Sequence, residues 1–157
     1  MQLTENFSTA EFERSATAHS LGLNNTMPPA HAMNALRLCE SVLQPLRDYY
    51  GRAVTITSGY RGEALNKAVG GAKNSQHCTG EAADIKVEGV PEIEVFRHIV
   101  KNLNFDQCIY EMELDSDGNT QAIWVHVSCA ANGKNRHEAL KARRVGKGKA
   151  VYQQYRG

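Results

Sequence analysis

No run of apolar residues in this chain is long enough to cross a bilayer as a helix, so no membrane partner is expected. Cysteine is sparse and scattered. Cys39, Cys78, Cys108 and Cys129 form no Cys-x-x-Cys pair, which argues against a zinc ribbon or a redox dithiol and for free thiols in a reducing compartment. A dominant charge is lacking too: the net charge is +1, which by itself points to no polyanion. Residues 1–6 have neither the basic region nor the apolar run of a signal peptide. The expectation is therefore synthesis in the cytoplasm without export by that route. There is no internal repeat and no low-complexity tract.

What is present is an ordinary globular composition, 41% hydrophobic and 22% charged over 157 residues. That length suits one domain able to bury a core without staples. Charge is uneven at the end of the chain. From Lys134 onward, Lys134, Arg136, Lys141, Arg143, Arg144, Lys147, Lys149 and Arg156 face one acid, Glu138. No aromatic interleaving or nucleic-acid motif accompanies them. The simplest reading is a solvated, partly mobile basic tail on a single domain spanning residues 1–157, and nucleic acid is not expected as a partner.

Local patterns give an α+β order. Ser8 and Glu11 form a capping box that opens a helix through about Ala18. Pro28-Pro29 starts a longer helix ending near Gly51 and kinked by Pro45. Strands are expected at 53–57, 82–87, 105–112 and 121–128, with a helix over 91–103. Between them lies a long Gly-rich stretch, 58–80, broken by a short helix around 63–68. The run Asp115-Ser116-Asp117-Gly118-Asn119 reads as a hairpin turn, since its glycine is misplaced for a calcium loop. Helices first and strands later indicate an α+β domain built on a mainly antiparallel sheet flanked by helices.

Two positions in this pattern need a chemical reason. Asp84 sits inside the apolar strand segment Ala82-Ala83-Asp84-Ile85, where a carboxylate is costly unless it is paired, hydrogen-bonded or metal-bound. In Ile123-Trp124-Val125-His126-Val127-Ser128 the two-residue period puts Ile123, Val125 and Val127 on one face, and Trp124, His126 and Ser128 on the other. His77 precedes Asp84 by seven residues, in the Gly-rich loop. Taken singly, each of these reads more simply as a structural residue. Together, two imidazoles and one carboxylate with an open position make a catalytic zinc shell. His19, His31, His98 and His137 match no such pattern, and Cys78 beside His77 would be a surplus ligand.

Ser58-Gly59-Tyr60-Arg61, Leu65-Asn66, Val69-Gly70-Gly71, Ser75-Gln76-His77, Gly80 and Ala82-Ala83-Asp84 resemble the signature of the zinc D-alanyl-D-alanine carboxypeptidase family. That family includes phage and bacterial L-alanyl-D-glutamate endopeptidases. The pattern Ser-x-His-x-x-Gly-x-Ala-x-Asp runs without gaps from Ser75 to Asp84. Residues 124–128 resemble the family's last ligand strand, and residues 7–12 resemble its phage-type members. The resemblance implies the small α+β fold shared with hedgehog signalling domains, and one zinc ion on His77, Asp84 and His126. Arg61 would stabilise the oxyanion or bind a substrate carboxylate, with Ser75, Gln76 and Trp124 supporting the substrate. Family members often carry the general base three positions before the last ligand. Here that position is Ile123, so Glu111, at the end of the preceding strand, is the expected replacement.

The function these readings imply is zinc-dependent hydrolysis of peptidoglycan stem peptides by a monomeric phage or prophage lysis enzyme. It would act at the cell wall after release by another protein. Cleavage could fall at D-Ala-D-Ala, at L-Ala-D-Glu or at a cross-bridge. The rival is a zinc-stabilised binding or virion-structural module without turnover, for which the missing acid at position 123 speaks.

Overall fold

A computed structural model describes residues 1–157. A two-stranded ribbon, β1 (Gln2–Thr4) and β2 (Phe7–Ser8), leads into α1 (Thr9–Glu13). The Glu11 carboxylate accepts from the Ser8 amide at 2.8 Å, one arm of the expected capping box. The single helix expected to run to Ala18 is two helices. Arg14 turns extended, and the Ser15 hydroxyl accepts from Ala18 N at 3.1 Å to cap α2 (Ala16–Leu21). A serine that satisfies a free first-turn amide favours a new helix start over continuation.

The next rod runs from α3 (Pro29–Leu38) through a π-turn (Cys39–Leu43) into α4 (Gln44–Tyr50). Pro45 has no N–H to give to the preceding turn. The widened turn just before it, closed by Gln44 N on the Cys39 carbonyl, absorbs the defect. Gly51 ends the rod at φ 62°, a left-handed conformation that favours glycine.

The sheet contains β3 (Val54–Ser58), β4 (Ala82–Val87), β5 (Gln107–Leu114), β6 (Thr120–Ser128), β7 (Glu138–Val145) and β8 (Val151–Gln154). Its order is β3-β4-β6-β5-β7-β8, and every neighbouring pair is antiparallel except β5 with β7. Between β3 and β4 lie α5 (Glu63–Ala68) and a 3-10 turn (Gln76–Thr79), and α6 (Glu92–Asn102) follows β4. The Asp115 carboxylate caps the β5–β6 turn by accepting from the amides of Asp117 and Asn119.

One face of the sheet is covered. Ile85, Val125, Val127 and Cys108 meet Leu38, Val42 and Leu46 of the rod and Val95, Phe96 and Ile99 of α6 in one buried cluster. The opposite face carries the polar members of the same alternating strands and stays open to a cleft. All four thiols are free.

The basic segment from about residue 134 is largely exposed, yet part of it is built into the sheet. Glu138–Val145 pairs in parallel with β5 along all eight residues, and β8 closes on it. Leu140 and Ala142 bury against Ile109, while the Lys141 ammonium lies over the rings of Tyr110 and Tyr155, 6.0 and 5.6 Å from their centroids. Long cationic side chains cover apolar surface with their stems, so a charged sequence can still be a strand.

Candidate metal centre

The register brings the three expected ligands together from three elements. Asp84 on β4 lies directly opposite His126 on β6, and Ser58 at the end of β3 lies opposite Asp84. A register shift between Ile56 and Ser58 leaves Thr57 as the extra residue and bends the end of β3. The chain then passes through Gly59, where an added Cβ would stand 2.7 Å from the Phe12 backbone. Only glycine fits there. Its carbonyl meets His77 Nδ1 at 2.7 Å, and Arg61 N donates to the His77 carbonyl at 3.0 Å.

A carbonyl can only accept, so His77 Nδ1 is the donor and Nε2 is left with a free lone pair, the arrangement that fixes a metal-binding tautomer. That Nε2 lies 3.4 Å from Asp84 Oδ1, and His126 Nδ1 lies 3.0 Å from the same oxygen. The three ligand atoms fall within 4.8 Å of one another. His77 and His126 are 3% and 8% exposed, so neither is a surface imidazole. Burial would push the Asp84 carboxyl up, but the two imidazoles outweigh it and hold it well below the usual carboxylate range. Two imidazoles and an ionised carboxylate fit a divalent metal of the zinc type, and these residues could hold one ion. Cys78 is outside the cluster, and its thiol is pushed up by burial.

The cluster opens into a cleft of about 950 Å³ between the 69–76 loop and the polar face of the sheet. Arg61, Ser75, Gln76, Glu111 and Trp124, the other residues singled out in the sequence, all line it. Glu111 lies opposite Trp124 on the open face, and burial raises its carboxyl against the lowering influence of His126. Ile123 shares the alternation of Val125 and Val127, which are fully buried in the core. An acid there would face away from the cluster.

The supporting residues are more engaged than the sequence suggested. The Ser75 hydroxyl accepts from His77 N at 3.2 Å and from Arg61 Nη2 at 3.3 Å, so it braces both. Gln76 Nε2 donates to Asp106 Oδ2 at 2.9 Å. Asp106 was not singled out. It is 3% exposed and accepts four hydrogen bonds, three of them from Arg136: its backbone N at 2.9 Å, Nε at 3.0 Å and Nη2 at 3.0 Å. Burial works against its charge, yet the Arg136 bonds and Gln76 hold its carboxyl below the ordinary value. Asn25, also missed, bridges the Glu13 and Tyr60 carbonyls and the Gly62 amide, holding the loop that carries Arg61. The one sequence signal for these residues was a carboxylate or amide beside apolar positions, which is too common to single them out.

An α+β domain with two imidazoles and a carboxylate converging on a sheet-face cleft belongs to the class of metallohydrolases. The model of the family described as Peptidase M15 matches residues 5–128, and the chain belongs to that family. It is accordingly a peptidase-family protein, of hydrolase type. No curated protein matches the chain.

Proposed function

We propose that the chain is a zinc-dependent peptidase of peptidoglycan stem peptides, a carboxypeptidase or endopeptidase acting at the bacterial cell wall. The observation that carries this reading is the convergence of His77, Asp84 and His126 on the cleft that Glu111 and Arg61 also line. His77, Asp84 and His126 are the metal ligands. A zinc ion held there supplies the Lewis acid that polarises a scissile carbonyl and makes water a competent nucleophile at neutral pH.

The chain's own residues do the rest. Glu111 takes a proton from the attacking water and returns it to the leaving amine. Its half-buried position keeps its carboxylate poorly solvated, which strengthens it as a base. The Arg61 guanidinium, braced by Ser75, stabilises the oxyanion or grips a substrate carboxylate. Gln76, Ser75 and Trp124 form walls against which the peptide lies. Ile123 does not count against turnover, because its position is on the sheet face away from the cleft and Glu111 provides a carboxylate on the cleft side. The resemblance to phage-type members supports a phage or prophage lysis role for a monomer. No helix is long and apolar enough to cross a membrane.

The test is release of new amino and carboxyl termini from purified peptidoglycan, followed by mass spectrometry, for metal-loaded, chelator-treated and zinc-restored protein. Cleavage that disappears with chelator and returns with zinc is the expected result and names the bond. Zinc bound with no cleavage across several wall types would favour the non-catalytic module.

A further inference from the structure

The family match ends at Ser128, yet Asn132, Lys134, Arg136, Arg144 and Tyr152 all line the cleft. The segment after the match therefore builds one wall of the site. Its register says where. Gln107 pairs with Glu138, Ile109 with Leu140, Glu111 with Ala142 and Glu113 with Arg144, so β7 runs beside β5 along the whole cleft floor. His126 lies opposite Ile109, which puts the metal ligands level with the second of these pairs.

Arg144 stands two pairs beyond the ligands, on the same face by the two-residue period. The 132–136 loop stands at the other end, tied down where Arg136 grips Asp106 beside Gln107. From Gln107 to Glu113 the floor is about 20 Å long, the span of roughly six extended residues. A site that removes a terminal residue has to end shortly after the reacting centre. This trough continues past it in both directions.

Its ends are cationic. Lys134 joins none of the protein's salt bridges, and Arg144 has a single exposed contact, 3.4 Å to Glu113. Between them Arg61 keeps a buried Nε without an acceptor. Arg136 is the exception, since Asp106 occupies it.

We infer that residues 129–157 turn the site into a two-ended trough for an extended acidic peptide, cut within its length, with Lys134 and Arg144 binding free carboxylates on opposite sides of the scissile bond. The inference rests on the peptidase reading above and narrows it to an endopeptidase. Each cut consumes one water: the amide C–N bond breaks, the water oxygen stays on the carbonyl carbon as a new carboxyl group, and a proton goes to the leaving nitrogen.

The experiment uses the full-length, zinc-loaded protein with two synthetic stem-peptide analogues of one sequence, one with free carboxylates and one fully amidated, and reads products and rates by mass spectrometry. The free-carboxylate peptide, extended by two residues before its first alanine, should yield two fragments of at least two residues each. Charge-assisted contacts of this kind predict that amidation lowers kcat/KM by about tenfold or more. Lys134→Ala and Arg144→Ala should each raise KM for the acidic peptide roughly fivefold, the effect of a partly exposed charge pair, and so narrow the kcat/KM gap between the acidic and the amidated peptide. Both side chains are exposed, so neither change threatens folding. Release of a single terminal residue, or equal kcat/KM for the two peptides, overturns the inference and leaves the peptidase reading standing. No cleavage of either peptide or of peptidoglycan by the zinc-loaded wild type overturns both.

Discussion

Glu111 and Asp106 are both carboxylates in one cleft, but their surroundings fit them for different work. Glu111 has no hydrogen-bond partner that would commit its oxygens, and burial raises its carboxyl. Replacing it with glutamine keeps shape and removes the proposed base, so kcat should fall by roughly 10²- to 10⁴-fold while bound zinc, measured by elemental analysis, stays at one ion per chain. Wild-type turnover in Glu111→Gln would remove it from that role. Asp106 is instead fully committed to Arg136 and Gln76. Its carboxyl is lowered in the folded state, so its contribution to stability is complete well above the ordinary value of 3.8 and is lost as the pH falls through and below it. Asp106→Asn should cost about 1–3 kcal/mol at pH 7, discounted for the exposed guanidinium, and the deficit should shrink towards pH 3. Urea denaturation at the two pH values measures this, and an equal deficit at both would show that the Asp106 charge is not what stabilises its bridge between Arg136 and Gln76.

At the scale of elements, the end of β3 and the C-terminal strands carry the informative packing. The bulge at Thr57 and the missing side chain at Gly59 let the chain pass against the Phe12 backbone and present a carbonyl to His77. Gly59→Ala should force the α1 backbone away, costing about 1–3 kcal/mol as overpacking does, and should weaken zinc binding because the His77 ring loses its fixed orientation. Denaturation midpoints and competition with a chelating dye test the two effects separately. For β7, backbone amides of Leu140–Arg143 should exchange with solvent as slowly as those of β5, since over those residues the strand is flanked by β5 and β8. Fast exchange over those residues would restore the mobile tail that the run of Lys and Arg suggested.

For the whole molecule, a metal ion held at the proposed site would act as a clamp. The proposed ligands come from the 3-10 turn after α5, from β4 and from β6, so one ion would tie the Gly-rich loop to the sheet. A ligand that binds only the folded state at 100 times its dissociation constant adds about 2.7 kcal/mol, or roughly 5–10 °C in a domain of this size. Chelation should lower the melting temperature by that amount, and zinc should restore it. A melting temperature indifferent to chelator would argue against a folded-state metal site.

The cluster of His77, Asp84 and His126 was legible because its signals are local: an aspartate in an apolar strand, a histidine on the polar alternation of the next, and a gapless motif from Ser75 to Asp84. The α+β order was legible for the same reason, since caps, turns and two-residue periods act within a few neighbours. The break at Ser15 and the π-turn before Pro45 were not, because in each case a competing local bond decided between two allowed helices. Glu111 and the Val125-side placement of Ile123 were read from the sequence, and the strand register adds that Glu111 lies beside Trp124 on the cleft side. The Asp106–Arg136 pair and the wall made by β7 and β8 also belong to the tertiary structure alone. They join residues about thirty positions apart, and pairing at that distance is chosen by the buried contact of Leu140 and Ala142 with Ile109, which the charged sequence around them conceals.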